Sequence, residues 1–143
     1  VTVEVEKVQF ATREIVDGLN HLLPQLSSKP ATLTIDSVER MIQSEAATIF
    51  IALDEFVIVG TLTLIIFSTP TGRRSWIEDV VVDESARGAG VGEQLTAAAI
   101  DEARQRGVRT IDLTSRPSRE AANAMYLKMG FGRRETNVYR LSL

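Results

Sequence analysis

With 143 residues, 44% of them hydrophobic and 24% charged, the chain has the size and composition of one globular domain with a sizeable core. A net charge of −3 argues against a general binder of nucleic acid or of anionic membrane. The absence of cysteine excludes disulfides, thiolate metal sites and a cysteine nucleophile, and a single histidine, His21, excludes a multi-histidine metal centre, so no metal is expected.

Val3, Val5 and Val8 alternate with polar residues and suggest a first strand. Thr12 reads as a helix N-cap, followed at helical spacing by Ile15, Val16, Leu19, Leu22, Leu23 and Leu26. Pro24 should kink or end that helix, with His21 on its surface or half-buried, and 27–30 should be a loop. A short helix is expected from Asp36 to Ser44, with Ile35, Val38, Met41 and Ile42 on one side. Ala47–Leu53 and Phe56–Phe67 are rich in β-branched and aromatic residues, and Asp54-Glu55 separates them, which predicts an antiparallel hairpin. The second run falls short of the roughly 20 residues that span a bilayer, and the start of the chain lacks a signal-peptide pattern, so a cytoplasmic protein is the expectation.

Ser68–Arg74, with Pro70 and Gly72, should turn the chain into a fourth strand, Trp76–Val82. A helix over Val91–Arg106 ends at Gly107, a fifth strand covers Arg109–Leu113, and Ser118 caps a helix over Arg119–Met129 that Gly130 closes. The weak alternation of Asn137–Leu143 suggests a last strand. Without repeats or linkers, the order describes one mixed α/β domain over 1–143, a partly antiparallel sheet flanked by helices.

Chemistry concentrates where the fourth strand meets the following helix, at Arg87-Gly88-Ala89-Gly90-Val91-Gly92. Glycines let the backbone approach a ligand and aim successive N–H groups at it. The helix N-terminus adds unpaired N–H groups and a partial positive charge, and Arg87 adds a full one. Together they suit a phosphate-bearing ligand. A dinucleotide fold needs Gly-x-Gly-x-x-Gly in such a turn; here the last glycine comes one position early, although Asp112 stands where a ribose-binding acid would fall.

The loop also resembles the acetyl-CoA pyrophosphate loop of the GNAT superfamily of acyltransferases, Gln/Arg-x-x-Gly-x-Gly/Ala, with every position filled. A second block, Ala122 with Asn123-Ala124-Met125-Tyr126-Leu127-Lys128-Met129-Gly130-Phe131, resembles the superfamily's Ala-x-x-x-Tyr-x-x-x-Gly-Phe signature. The resemblance covers nearly the whole chain and implies a GNAT-like acyl-CoA N-acyltransferase fold, with acetyl-CoA as cosubstrate. It implies that the fourth strand splays from its parallel neighbour and that Val80, Val81 and Val82 contact the cofactor through main-chain groups. An amide near Val80 would stabilise the oxyanion, and Tyr126 would protonate the leaving thiolate. Many relatives carry an asparagine seven residues before that tyrosine; here the position is Arg119, with Ser115 and Ser118 as nearby polar substitutes. Ile77-Glu78-Asp79-Val80-Val81-Val82 is also similar to the fourth strand of glucosamine-6-phosphate N-acetyltransferases, while the acceptor-side segments show no such match.

An amine acceptor arrives as an ammonium ion and must lose a proton before attack. Glu78 is the leading general base and Asp79 a weaker one; a structural ion pair is the alternative for Glu78. Strand alternation would place Glu78, Val80 and Val82 on one face and Ile77, Asp79 and Val81 on the other. The expectation is direct N-acetyl transfer to a primary amine on a small molecule or a peptide. A CoA-binding or sensory module without turnover is the alternative, and a homodimer is plausible by resemblance only.

Overall fold

The computed structural model of the chain describes residues 2–29 and 31–143, so Pro30 of the expected loop lies outside the described residues. The chain forms two compact units, one up to Leu113 and one from Thr114 onward. The first contains β1 (Glu4–Lys7), α1 (Arg13–Leu22), α2 (Ile35–Gln43), β2 (Ala47–Asp54), β3 (Val57–Thr69), β4 (Gly72–Val82), α3 (Val91–Gln105) and β5 (Thr110–Asp112). Its sheet has the order β1-β2-β3-β4-β5. The first four strands are antiparallel neighbours, and β5 joins β4 in parallel, giving the expected mixed sheet.

Each face of the sheet is covered by the apolar stripe of a helix. On one face Val16 and Leu19 of α1 and Val38 of α2 pack with Ile49 and Ile51 of β2. Gly18 lets α1 lie close, since a Cβ there would stand 2.5 Å from Cδ1 of Ile58. On the other face α3 buries Val91, Leu95, Ala99 and Ala103. Complete burial of a Val or Leu side chain stabilises by about 1.5–3 kcal/mol, so these stripes, rather than helix propensity, hold the layers together.

Local chemistry sets the boundaries. The Thr12 side chain accepts from the Ile15 amide at 3.2 Å, and α1 gives way after Leu22 to a 3-10 turn, Leu23–Gln25, that contains Pro24. α2 starts at a reciprocal capping box of Thr34 and Ser37. The hairpin turn falls one residue later than expected: Glu55 and Phe56 have φ of 46° and 71°, and Phe56 is 98% exposed instead of opening a strand. The expected turn at Ser68–Arg74 shrinks to residues 70 and 71, because Ser68 and Thr69 pair with Arg73 and Gly72. Polar residues there form an exposed ladder, and Gly72 takes the φ of 129° that closes it.

The second unit contains α4 (Glu120–Lys128). Arg119, not Ser118, occupies its N-cap position, without a side-chain capping bond, and Gly130 follows at φ 103°. The expected strand over Asn137–Leu143 does not form. Alternation makes a strand where one face is buried, whereas Val138, Tyr139, Leu141 and Leu143 are all exposed.

Candidate active site

The central feature of the first unit is the change in β4 along its length. Arg74, Ser75 and Trp76 pair with Thr110, Ile111 and Asp112 of β5, and the pairing stops there. From Ile77 to Val82 the β5-facing edge of β4 pairs with no strand among the described residues. Its other edge remains joined to β3 through Glu78, Val81 and Val82.

That second ladder contains a bulge. Thr61 opposes Val81 and Thr63 opposes Glu78, so Asp79 and Val80 both fall opposite Leu62. Asp79 absorbs the extra residue at φ 52°, a conformation that Asp tolerates better than most side chains. The bulge overturns the simple alternation expected from sequence. Directly opposed residues share a face, so Glu78 lies with Thr63 and Ile49 on the face covered by α1 and α2. Val82 lies with Gly60 on the α3 face. Glu78 is exposed and makes no ion pair among the described residues.

Beyond β4 the chain makes a 3-10 turn, Glu84–Ala86, and then the glycine loop. Arg87 folds back, its Nε donating to the Val82 carbonyl at 3.2 Å. Gly88 and Gly90 both have left-handed φ, near 80°, and a Cβ on either would meet nothing within 4 Å. Backbone conformation, not crowding, therefore requires glycine at both, and the loop surface above them is open. Ala89 is half-buried between them. Gly90 is the N-cap residue of α3 and no side chain caps that end, so its first-turn amides point out along the helix axis. Val91 and Leu95 anchor this end of α3 over Gly60, whose Cβ would stand 3.1 Å from each. Gly92 sits within the first turn, its carbonyl accepting from Thr96 Oγ1 at 2.7 Å.

Sequence reasoning missed a polar brace beneath this loop. Asp83 follows β4 directly, and its amide donates to the Val59 carbonyl at 2.8 Å. Its Oδ2 accepts from the Ser85 amide at 3.1 Å and from the Ser85 hydroxyl. Its Oδ1 accepts from Gln25 Nε2 at 2.7 Å and lies 3.1 Å from His21 Nε2. Gln25 uses the other end of its amide as well, Oε1 accepting from the Glu84 amide at 3.0 Å. Hydrogen bonds from Ser85 and Gln25 hold the Asp83 carboxyl well below the usual carboxylate range, against the opposing effect of burial. The lone histidine thus lies on the surface of α1 as expected, yet with a partner 62 residues away. An Asp directly after a strand and before a turn is the signal that could have revealed this cap. Gly60, a single glycine inside a strand, signals close approach in the same way.

In the second unit Tyr126 is buried on α4, its ring meeting Phe131 edge-on at 5.6 Å. Burial raises its pKa above the ordinary value of 10.0, partly offset by Arg119, so the phenol keeps its proton at neutral pH. The Ser115 hydroxyl is buried and has no hydrogen-bond partner among the described residues. Asn123 donates to the Arg116 carbonyl at 2.9 Å and so closes its own loop. No group of three or more metal-ligating side chains occurs among the described residues. Nor is any helix among them long and apolar enough to cross a membrane.

Comparison with known proteins gives a consistent picture. Residues 19–131 match the acetyltransferase (GNAT) family. A stretch of 59 residues, 41% of this chain, is 44% identical to the mycothiol acetyltransferase of Amycolatopsis mediterranei (strain U-32), covering 20% of that protein. A stretch of 60 residues, 42% of this chain, is 38% identical to glucosamine 6-phosphate N-acetyltransferase 1 of Oryza sativa subsp. japonica, covering 34% of it. The chain thus spans about a fifth and a third of the curated relatives it matches. The crystal structure of a Trypanosoma brucei acetyltransferase superposes with a TM-score of 0.81 at 27% identity, over 99% of this chain and 100% of that one.

Proposed function

Because the chain belongs to the acetyltransferase (GNAT) family, whose members use acetyl-CoA and acetylate amines, we propose that it transfers the acetyl group of acetyl-CoA directly to a primary amine. The carrying observation is the open edge of β4 running from the Asp79 bulge into the Arg87–Gly92 loop. An extended amide-bearing chain can add to such an edge as a further strand, and pantetheine is such a chain. The loop amides, the α3 N-terminus and Arg87 would then receive the pyrophosphate. This reading takes 1–143 as one acetyltransferase domain, and neither metal nor nucleic acid has a part in it.

In the proposed reaction Glu78 accepts a proton from the acceptor ammonium, directly or through water. The free amine attacks the thioester carbon, and the negative charge collects on the carbonyl oxygen. The amide at Val80, outside the β3 register because of the bulge, is the candidate donor to that oxygen. The intermediate collapses by breaking the C–S bond, and the resemblance gives Tyr126 the role of protonating the thiolate. The acceptor is a small-molecule amine or a peptide amine.

The test is CoA release from acetyl-CoA across a panel of amines, with wild type and Glu78→Gln compared. Amine-dependent release that falls by about 10²- to 10⁴-fold in the variant, with acetyl-CoA binding retained, is the expected result for loss of a general base. A wild type that binds acetyl-CoA and turns over no amine would instead favour the non-catalytic CoA-binding module.

A further inference from the structure

The brace between α1 and the glycine loop ties together segments far apart in sequence. Gln25 lies in the 3-10 turn that continues α1, 58 residues before Asp83 in sequence. Its single amide group bridges two adjacent points of the loop entrance, donating to the Asp83 carboxylate at 2.7 Å and accepting from the Glu84 amide at 3.0 Å. His21, one turn earlier, approaches the same carboxylate oxygen. The other oxygen of Asp83 is taken by Ser85, so the whole entrance turn is fixed by side chains. Immediately downstream come Arg87, held to the Val82 carbonyl, and the two left-handed glycines.

A loop that must present several amides to one phosphate group loses conformational freedom when it binds. Fixing it beforehand removes that cost from the binding step. Asp83 by itself is an odd neighbour for an anionic ligand, because its negative charge opposes binding. Its hydrogen bonds to Gln25 and Ser85 draw that charge toward α1 and the turn.

We propose that Gln25 is a positioning residue for acetyl-CoA, holding the entrance turn of the phosphate loop against α1 through Asp83 and Glu84. The brace joins the cofactor loop to the same helix that begins one flank of the α1–α2 face on which Glu78 lies. The inference rests on the acetyl-CoA reading above.

The test is calorimetric titration of acetyl-CoA into the full chain for wild type, Gln25→Ala, Gln25→Glu and the double variant Gln25→Glu/Asp83→Asn. Loss of two ordinary hydrogen bonds predicts about tenfold weaker binding in Gln25→Ala. Gln25→Glu should bind more weakly still, since it sets two carboxylates against each other. The double variant reverses donor and acceptor. The carboxamide introduced at position 83 donates to the carboxylate introduced at position 25, which still accepts from the Glu84 amide. Binding should recover to within about threefold of wild type. Wild type that fails to bind acetyl-CoA removes the functional reading itself. Wild type that binds, with both single variants within about twofold of it, overturns the brace and leaves that reading standing. Weakening in the single variants without recovery in the double variant also overturns it, because a general packing defect gives that pattern.

Discussion

Asp83 shows how one carboxylate can serve stability and loop geometry together. Its folded pKa lies below the ordinary value of 3.8 because Ser85 and Gln25 donate to it. A group whose pKa is lowered on folding adds stability above its unfolded pKa, and that stability is lost as pH falls through the folded value. Denaturant titrations of wild type should therefore show falling stability below about pH 4, and Asp83→Asn should flatten that acid arm while losing about 1–2 kcal/mol at neutral pH. Asp79 makes a different point at the same scale. Its residue type was visible in the sequence, but its φ of 52° was not, because a bulge is a mismatch between two strands and the second strand is distant in sequence. For that reason Glu78 could be singled out as a carboxylate near the loop, while its face could not be assigned correctly by counting along β4.

Among elements, α3 has the most demanding task, since its N-terminus must point at the loop. It is fixed at both ends. At its start Val91 and Leu95 rest on Gly60. Near its other end Glu102 accepts from Lys7 of β1 at 3.0 Å. Arg106, just past the helix, donates to the Glu45 carbonyl at 2.9 Å and to Thr48 at 3.3 Å. Gly60→Val should drive side-chain atoms into Val91 and Leu95, costing about 1–3 kcal/mol by overpacking. A lowered Tm together with weaker acetyl-CoA binding would confirm that β3 sets the height of α3; full retention of both would contradict it. The extent of α3 was legible to within a residue, because its apolar face and Gly107 are local signals. The contact that sets its height was not, because it joins positions 60 and 95. Local signals likewise gave the Thr12 cap and the break at Pro24. They missed the length of β3 and β4, where polar residues form an exposed ladder.

For the molecule as a whole, the sequence specified the order of elements and the kind of sheet through patterns that repeat within each segment. It did not determine the tail, where alternation at Asn137–Leu143 suggested a strand that the structure lacks. Two motif blocks carried the family, one in each compact unit, and this is why the resemblance was readable from residues far apart in the chain. The open edge of β4 has one more consequence. Unpaired N–H and C=O groups along a strand are a template for any extended chain, including another copy of the same protein. The ligand-free protein should then be the less tractable form at high concentration, forming large particles on storage. Added CoA should keep it dispersed by occupying the template, as light scattering with and without CoA would show. In that sense the cosubstrate would also act as a solubility factor, and preparations stripped of it should have the shorter shelf life.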